Sequence, residues 1–507
     1  MRHFLESAAF GLLALSPVVA QSSELDRFGG AIPGPAEFVL EGPAGAPYVL
    51  ILALELQTTP LQDINVTIDI SDDFAMASFG FPGFAGLLAP SGSATATLNI
   101  PNLPELTGLP LYVQAVTGDG TGIGFQTSDY VQLTLQKSGT FLPAADEPAL
   151  PIVGGTSVVA ADGDLLFVGG SGPAAQRWDR QKESFSLAGA SFGVGLLSQS
   201  TALADGRVLF TGGLGLDGQP TDAAAIYDPS SGSTANLTMI ESRAAHGAAL
   251  LGDGRVLITG GIPTIDLADP LGTLTAISGT TEIFDPSTDT FAPGPALIEP
   301  RALHTATTLT NGDVLIAGGF TLLPVVNVPT VSPTAYRFSQ ATGSFGLPAL
   351  MQGARAGHSA IALPGGRALL VGGLSIDFTT FLTTGNIQDL VIGTRDDAQV
   401  FRNGPLGIGL FSTVGGLSES RAGAGLAMLP SGEVLVAGGF RLSIDLSGAG
   451  LDIGLSSSAD VYMPSPDRFE PTGDMEVGRL FPLLTPLQDG RVLVVGGGVG
   501  PTEVYQR

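Results

Sequence analysis

A Gly-Gly pair recurs seven times in this chain, each time at the end of a short apolar run. The pairs are Gly169-Gly170, Gly212-Gly213, Gly260-Gly261, Gly318-Gly319, Gly372-Gly373, Gly438-Gly439 and Gly496-Gly497. Their first glycines are 43, 48, 58, 54, 66 and 58 residues apart. A repeat of this length that holds several strands is typical of a β-propeller or a repeat array, because each unit buries its apolar face only by stacking on its neighbours. No other feature of the sequence constrains the fold as strongly.

Each repeat predicts two antiparallel strands before its Gly-Gly pair. Two copies begin with Arg-x-x-His, at Arg243 and Arg301, and reach the turns Asp253-Gly254 and Asn311-Gly312. Asp-Gly and Asn-Gly between apolar runs are strong hairpin signals, since these residues accept the positive φ angles of two-residue turns. The second strands are apolar without alternation, so we expect both of their faces to be buried. They include Val256-Leu257-Ile258, Val314-Leu315-Ile316 and Leu369-Leu370-Val371.

A third strand in each repeat ends in an aromatic residue, and a fourth often begins with phenylalanine seven residues later. The aromatics are Trp178, Tyr227, Phe284, Phe338, Phe401, Tyr462 and Tyr505. The phenylalanines are Phe185, Phe291, Phe345 and Phe469, with Thr234 after Tyr227, and Ile408 and the nearby Phe411 after Phe401. We expect rings at such repeated positions to lie in the core.

The last repeat ends at Arg507, just after its third strand, and lacks a fourth. A matching segment lies before the first repeat, where Lys137 to Leu150 is similar to the fourth-strand segments that begin at Asp289 and Gly343. We therefore expect 138–150 to supply the outer strand of the last blade, which closes the ring and removes exposed edges. The pattern favours seven blades, with six and a degenerate terminus as the alternative.

Several of these motifs resemble the Kelch repeat. They are Tyr227-Asp228-Pro229, Phe284-Asp285-Pro286, the recurring Arg-x-x-His and the Gly-Gly pairs, and the resemblance covers about 138–507. It implies an all-β fold with a Kelch β-propeller of four-stranded blades. The family includes partner-binding proteins, sugar oxidases and sugar isomerases, so the fold alone does not select a function.

Two segments precede the repeats. Residues 1–20 are typical of a secretory signal peptide, with Arg2, the apolar run from Ala8 to Leu15 and small residues up to Ala20. Residues 21–137 alternate strand-like runs with Pro and Gly turns and predict a small β-sandwich. The stretch from Ala94 to Gln114 resembles accessory domains found in some secreted bacterial proteins. From the signal-like residues 1–20 we expect a secreted, periplasmic or cell-surface protein.

Composition excludes several functions. The chain has no cysteine, which rules out disulfides and thiol catalysis. The Kelch-type copper oxidation of sugars needs a tyrosine that is linked to a cysteine. Because this chain has no cysteine, that activity is excluded as well. A net charge of −26 argues against nucleic acid, because there is no basic surface to neutralise phosphates. No later stretch is long and apolar enough to predict a transmembrane segment.

The loops between strands two and three differ widely in length. From the second glycine to the third-strand aromatic they span 8, 14, 23, 19, 28, 23 and 8 residues in repeats one to seven. In an up-and-down blade these loops leave from the same face as those that join one blade to the next. Long loops on one face of a rigid ring are usually functional or mobile. This long-loop face, from Leu374 to Asp397 above all, is the predicted place for a glycan or protein ligand.

An arginine recurs 12 residues before the first-turn residue of five repeats. The candidates are Arg243, Arg301, Arg355, Arg421 and Arg479, and repeats one and two have Ile152 and Gly195 instead. One hypothesis is an arginine arc at the channel mouth that binds carboxylate or sulfate groups bidentately. The alternative, which the repetition favours, is that each arginine binds carbonyls of a neighbouring blade.

The sequence predicts no cofactor. His246, His304 and His358 stand at equivalent positions in three repeats, with Ala424 and Pro482 in repeats six and seven, and this spread favours structural histidines over a metal site. Loop carboxylates give a weak calcium signal without an ordered ligand spacing. They are Asp217, Asp222, Asp266, Asp269, Asp377, Asp389, Asp445 and Asp452.

No nucleophile elbow, phosphate loop or zinc helix motif is present. We therefore expect a secreted binding protein. The alternatives are a sugar-acting isomerase or lyase that uses channel-mouth arginines and carboxylates, and a structural cell-surface spacer.

Overall fold

The computed structural model describes residues 23–61, 66–71, 80–121, 124–152, 154–160, 163–168, 174–191, 195–266, 268–323, 328–377, 391–404, 408–445, 450–498 and 500–507. The predicted signal peptide lies outside these residues. Nearly all of the regular structure is antiparallel β-sheet, as the sequence predicted. Among the described residues, no helix has the length and hydropathy needed to cross a membrane.

The described part of the N-terminal unit contains eleven short strands and a 3₁₀ turn at Pro104–Leu106. The strands are β1 (Glu24–Gly29), β2 (Ala31–Ile32), β3 (Gly34–Glu41), β4 (Pro47–Ala53), β5 (Leu56–Leu61), β6 (Val66–Ile70), β7 (Ala85–Leu87), β8 (Ser93–Ile100), β9 (Pro110–Gly118), β10 (Phe125–Thr134) and β11 (Gln136–Lys137). They form sheets of order β1-β3-β8 and β10-β9-β4-β7, and the pairs β2-β11 and β5-β6.

One apolar core joins the two larger sheets of this unit. Phe38 from β3, Leu50 from β4 and Val113 from β9 belong to the same buried cluster, with Phe84 between them. The other side of β4 is also buried, because Val49 and its neighbours pack under the β5-β6 hairpin. This explains why β4 is apolar throughout and does not alternate.

The repeat region begins with β12 (Thr140–Pro143) and continues through thirty-four further described strands and one short helix, α1 (Pro270–Thr275). The first twelve are β13 (Thr156–Val159), β14 (Leu165–Val168), β15 (Ala174–Asp179), β16 (Ser184–Ser191), β17 (Gln199–Ala202), β18 (Val208–Thr211), β19 (Ala223–Asp228), β20 (Ser233–Thr238), β21 (Gly247–Leu250), β22 (Val256–Thr259), β23 (Thr281–Asp285) and β24 (Thr290–Pro293).

The next thirteen are β25 (Thr305–Thr308), β26 (Val314–Ala317), β27 (Phe320–Leu322), β28 (Pro329–Val331), β29 (Thr334–Ser339), β30 (Ser344–Phe345), β31 (Ala349–Leu350), β32 (Ser359–Leu363), β33 (Arg367–Val371), β34 (Leu374–Asp377), β35 (Val391–Thr394), β36 (Ala398–Asn403) and β37 (Gly409–Val414). The last nine are β38 (Gly425–Met428), β39 (Val434–Ala437), β40 (Phe440–Asp445), β41 (Gly450–Leu455), β42 (Ala459–Met463), β43 (Arg468–Pro471), β44 (Leu483–Pro486), β45 (Val492–Val495) and β46 (Glu503–Gln506).

Seven sheets carry the Gly-Gly repeat, and we number them 1 to 7 by their first strands. The orders are β13-β14-β15-β16, β17-β18-β19-β20, β21-β22-β23-β24, β25-β26-β29-β30 with β31 beside β29, β32-β33-β36-β37, β38-β39-β42-β43 and β44-β45-β46-β12. The first strands of consecutive sheets touch, and β44 also touches β13, so the contacts form a closed cycle. In repeat sheet 7, Thr140–Pro143 pairs antiparallel with Glu503–Gln506.

Second strands and aromatic rings form the cores between these sheets. Val256–Thr259, Val314–Ala317 and the other described second strands are buried on both faces, which confirms the prediction from their apolar runs. The seven third-strand aromatics are 0–2% exposed, which confirms that they are core residues. Opposite rings meet directly: Phe284 and Phe291 have centroids 5.0 Å apart, and Phe401 meets Phe411 at 5.4 Å.

A buried cluster of four charges joins the N-terminal unit to repeat sheets 1 and 7. Arg27 of β1 lies 2.6 Å from Asp489, and Arg491 lies 2.7 Å from Asp489 and 2.5 Å from Glu183. Arg27 also pairs with Glu183. Burial opposes the charge on Asp489, but Arg491 and Arg27 outweigh it and keep the pKa of Asp489 below its usual range. The cluster contains two positive and two negative side chains, so each buried charge lies beside an opposite charge that offsets the cost of its burial.

Candidate functional site

The five candidate arginines occupy equivalent positions just before the first strands of repeat sheets 3 to 7. Arg243, Arg301, Arg355, Arg421 and Arg479 are each 0–1% exposed. Nη1 of each donates to the carbonyl of the first glycine of the Gly-Gly pair in its own sheet, at 2.7–3.3 Å. The carbonyl of each arginine accepts from the second glycine of the preceding sheet, at 2.7–2.8 Å. Each arginine thus connects two consecutive Gly-Gly turns.

In repeat sheet 1 the backbone hydrogen bond to the preceding Gly-Gly turn is present, but the arginine is absent. Ile152 stands at the arginine position, and its carbonyl accepts from Gly497 of repeat sheet 7 at 3.0 Å. The Gly496-Gly497 turn therefore contacts the next sheet although no arginine follows it.

Protein carboxylates already face the guanidinium groups. The pairs are Arg243 with Glu282 at 3.0 Å, Arg301 with Glu299 at 2.8 Å, Arg355 with Asp397 at 3.0 Å, Arg421 with Asp460 at 3.1 Å and Arg479 with Glu503 at 2.8 Å. Burial lowers the pKa of Arg355 to about 10 and also lowers that of Arg301 and Arg421. A ligand anion would have to displace a protein carboxylate to reach these groups, and their role in ligand binding stays a prediction.

Asp460 has a raised pKa, and burial is the main cause. Its carboxylate faces Arg421 and accepts from the hydroxyl of Ser418 at 2.9 Å. Asp460 does not line the central cavity described below. The raised pKa of Asp460 therefore reflects its burial in a structural ion pair. It does not identify Asp460 as a proton-transfer group of that cavity.

The three histidines lie between neighbouring sheets. Nε2 of His246 is 2.9 Å from Thr211 Oγ1, and Nε2 of His304 is 2.8 Å from Thr259 Oγ1. Nε2 of His358 is 2.9 Å from Thr305 Oγ1, at the start of β25, because Ala317 occupies the position in repeat sheet 4 that Thr211 and Thr259 occupy in sheets 2 and 3. Burial and then the neighbouring arginines lower the pKa of His246 and His304 to about 3, so both are neutral at physiological pH.

A ring of left-handed residues surrounds the axis two positions after the arginines. They are Gly154, Leu197, Ala245, Leu303, Gly357, Gly423 and Phe481, with φ between 51° and 63°. The N–H of Leu303 donates to Ala245 at 2.9 Å, and that of Gly357 donates to Leu303 at 2.8 Å. The same bond links each neighbouring pair from Gly154 to Gly423. Left-handed backbone costs a non-glycine residue about 1–2 kcal/mol, so these inter-sheet bonds hold a strained conformation in place.

A central cavity of about 230 Å³ opens beside this ring. Every repeat sheet contributes the residue that follows its left-handed position. These residues are Gly155, Ser198, His246, His304, His358, Ala424 and Pro482. The walls combine apolar carbon with a few polar groups from Ser198, Gln199 and Ser359, which is the usual character of a small-ligand site.

The long loops build extra structure on the same face as the arginines. The loop of repeat sheet 3 contains α1, that of sheet 4 forms the β27-β28 hairpin, and those of sheets 5 and 6 combine into one sheet of order β34-β35-β40-β41. The elements touch in that order, since α1 contacts β28 and β28 contacts β34. They form a continuous wall over repeat sheets 3 to 6. Residues 378–390 of the longest loop, including Asp389, lie outside the described residues.

The loop sheet β34-β35-β40-β41 has one apolar face. Strand registry places Leu374, Ile376, Ile392, Phe440, Leu442, Ile444, Leu451, Ile453 and Leu455 on that face. Phe440 stacks edge-on against Phe481 with centroids 5.9 Å apart, so this face continues into the cavity lining. The sequence indicated long loops but missed this sheet, although Phe440–Asp445 and Gly450–Leu455 alternate apolar and polar residues.

Loop carboxylates mostly accept local hydrogen bonds. Asp269 caps α1 by accepting from Gly272, and Asp217 accepts from Gln219 in its own turn. Within the described part of the chain, no group of three or more His, Asp or Glu side chains is arranged to hold a metal ion. The side chains of Asp377 and Asp445 are outside that part, and calcium binding stays a prediction.

Comparisons with known proteins give similarity at low identity. No family model matches the chain, and no curated protein matches it. A solved structure of the protein YjhT is 15% identical, covers 64% of this chain and 98% of its own, and has a TM-score of 0.46. A fungal alcohol oxidase of the AA5 family in complex with copper is 14% identical, covers 62% and 75%, and has a TM-score of 0.37. At these values the similarity assigns this chain neither a family nor a function.

Proposed function

We propose that this chain is a secreted Kelch-type β-propeller of seven blades with a β-sandwich domain in front. The seven repeat sheets, the cyclic contacts of their first strands and the pairing of β12 with β46 support the propeller. The core shared by the two N-terminal sheets supports the sandwich. The signal-like residues 1–20 support secretion.

The propeller binds a glycan or a protein on its long-loop face. The observation that carries this proposal is the central cavity of about 230 Å³, which all seven repeat sheets line and which adjoins the apolar face of the loop sheet. A concave site with apolar walls and a few polar groups, on a rigid ring and under variable loops, is the usual setting for ligand binding.

The five arginines connect blades in this proposal. Their burial and their bonds to Gly-Gly carbonyls and to protein carboxylates favour that role over direct ligand binding. The same pairing weighs against the isomerase or lyase alternative, which needs free arginines and carboxylates at the channel mouth. A spacer without ligand is the remaining alternative.

Cavity blockage tests the proposed site. Gly357→Phe places a ring at the cavity mouth, where a Cβ would meet no atom within 4 Å. Leu303 shows that a large side chain fits the equivalent left-handed position in repeat sheet 4. Gly365→Phe is the matched control, since Gly365 is also left-handed and open but lies in the turn between β32 and β33.

The assay is a glycan array, followed by capture of secreted proteins, with the mature wild-type protein with and without calcium. We expect Gly357→Phe to lose at least about tenfold in affinity, while Gly365→Phe binds like the wild type. The triple variant Arg301→Ala/Arg355→Ala/Arg421→Ala should lower the melting temperature. Loss of acidic glycans by that variant at an unchanged melting temperature would make the arginines the site. Absence of any ligand would favour the spacer.

A further inference from the structure

The ring of left-handed residues around the axis is not closed by hydrogen bonds. Each member from Leu197 to Gly423 donates its backbone N–H to the carbonyl of the preceding member, which gives five bonds at 2.8–3.2 Å. Two bonds that would close the ring are absent from the described part of the chain. They are the bond from Phe481 to Gly423 and the bond from Gly154 to Phe481. The ring is therefore broken at repeat sheet 7.

Pro482 gives a local reason for this break. It follows Phe481, whereas Ala424 follows Gly423 in repeat sheet 6, where the ring bond to Gly357 is present at 2.9 Å. Proline restricts the backbone of the residue before it. We therefore expect Phe481 to fit the ring less well than its counterparts do.

The break leaves four backbone groups beside the cavity without a partner among the described residues. They are the N–H groups of Phe481 and Gly154 and the carbonyls of Gly423 and Phe481. All three residues line the cavity. Backbone groups that have no partner in the protein usually bind water or a ligand. Two donors and two acceptors are therefore available to a molecule in the cavity.

The side chain of Phe481 forms an apolar wall beside these groups. It lies against Gly423, where an added Cβ would collide with its aromatic carbons. It also meets Phe440 edge-on, with centroids 5.9 Å apart, and it is only half-buried. The face of an aromatic side chain is partly negative and attracts the partly positive C–H groups of a molecule that stacks on it. Phe481 thus presents a flat stacking surface next to free donors and acceptors.

The cavity offers no charge to a ligand. Among the described residues that line it there is no Asp, Glu, Lys or Arg. Burial lowers the pKa of its His246 and His304 to about 3, so both are neutral at physiological pH. A buried ion without a partner of opposite charge is costly, which favours an uncharged ligand. The volume of about 230 Å³ lies below the range of about 300–1,000 Å³ that is usual for drug-sized ligands, so the cavity suits a single ring.

We propose that the ligand of the central cavity is an uncharged, hydroxyl-rich ring, as in a neutral sugar unit. Its hydroxyl groups, each of which can both donate and accept, bridge the break between Gly423, Phe481 and Gly154. Its C–H face stacks on Phe481. The proposal rests on the ligand-binding function given above and narrows the ligand to one chemical class.

Calorimetric titration of the mature chain with D-glucose, D-galactose and D-mannose tests this class. D-glucuronate and D-glucosamine are the matched controls, since they have the same ring with a negative or a positive charge. We expect at least one neutral sugar to bind at least about tenfold more tightly than the charged sugars. Phe481→Ala should lower that affinity at least about tenfold. Phe320→Ala, which changes a half-buried phenylalanine outside the cavity lining, should leave it unchanged.

Hydrogen exchange of the wild-type protein tests the backbone contacts without a substitution. The bound sugar should slow exchange in peptides that contain the amides of Phe481 and Gly154. Exchange around Leu303, whose N–H already donates to Ala245, should stay the same. Unchanged exchange at Phe481 and Gly154, or a Phe481→Ala variant that binds the sugar like the wild type, would overturn the proposal.

The outcomes separate the sugar class from the ligand-binding function on which it rests. A charged glycan or a protein whose binding Gly357→Phe abolishes would overturn the sugar class and keep the cavity as the site. Binding of no ligand at all would overturn both.

Discussion

Repeat sheet 7 has a buried ion pair at the positions where repeat sheet 1 has two neutral residues. This difference allows a test of whether the arginines stabilise the fold. In sheet 7, Arg479 pairs with Glu503 at 2.8 Å, and both side chains are 1–2% exposed. In sheet 1, the equivalent positions hold Ile152 and Gln176, which are 3% and 2% exposed. Gln176 exchanges two hydrogen bonds with the backbone of Leu150, at 2.8 and 3.0 Å.

Arg479→Ile alone should destabilise the protein strongly. It leaves the buried carboxylate of Glu503 with the N–H of Glu476, at 2.9 Å, as its remaining close donor. Breaking one side of a buried ion pair costs about 3–5 kcal/mol, because the other charge stays desolvated. Glu503→Gln alone should also destabilise, since the buried Arg479 then has only neutral acceptors, among them the carbonyls of Gly496 and Pro501.

The double variant Arg479→Ile/Glu503→Gln should recover most of this loss, because it copies the neutral arrangement of Ile152 and Gln176. Replacing a buried ion pair by well-packed neutral groups is often close to neutral. We therefore expect a favourable coupling energy of at least about 3 kcal/mol in the double-mutant cycle.

Denaturant unfolding followed by the fluorescence of Trp178 measures the cycle. Trp178 is the only tryptophan, is fully buried and lies in repeat sheet 1, next to sheet 7. Additive single effects would refute the reasoning, since they would mean that Arg479 and Glu503 do not stabilise one another. A stable Arg479→Ile variant that loses only ligand binding would favour the ligand-binding hypothesis.

Two further predictions concern the same inter-sheet contacts. Gly260→Ala should lower the melting temperature far more than Gly254→Ala. A Cβ at Gly260 would lie 2.2 Å from the carbonyl oxygen of Arg301, whereas a Cβ at Gly254 would meet no atom within 4 Å. Equal decreases in melting temperature would contradict this reasoning. The pKa of His246 and His304 is about 3 in the folded protein and 6.5 in the unfolded chain, so the folded state binds fewer protons between these values. The free energy of unfolding should therefore fall as the pH drops below about 6.5, by about 1.4 kcal/mol per pH unit for each histidine. His304→Gln should flatten this slope by about one proton in pH-dependent unfolding, and an unchanged slope would show that His304 is not held neutral.

The sequence predicted the repeated parts of the fold well, because their signals are local. Apolar second strands, Asp-Gly turns and third-strand aromatics each determine a short stretch of backbone, as at Val256–Thr259 and Phe284. The alignment of Lys137 to Leu150 with other fourth strands indicated a partner for the last repeat, and Thr140–Pro143 pairs with β46.

The site was harder to predict because it depends on contacts between distant residues. The positions of the arginines could be predicted from the repeat, but their burial could not, since Arg355 contacts Gly372 and Asp397 only after two strands have folded back. The loop sheet was missed for a similar reason. Its central pair joins Val391–Thr394 to Phe440–Asp445, which belong to loops of two different repeats, and no local pattern determines that pairing.

The polar contacts around the axis also limit where ligand selectivity can arise. The Gly-Gly amides bind carbonyls of the next sheet, the arginines bind Gly-Gly carbonyls and carboxylates, and the histidines bind threonines. Because the bonded atoms already have partners inside the protein, a ligand gains little by competing for them. Nδ1 of His246, His304 and His358 is the exception, since it is buried without a hydrogen-bond partner. The surfaces that remain available are the cavity walls and the apolar face of the loop sheet, and the second of these depends on the sequence of the long loops. Substitutions in β34, β35, β40 and β41 should therefore alter what the protein binds, whereas substitutions at the arginines should alter whether the ring stays folded.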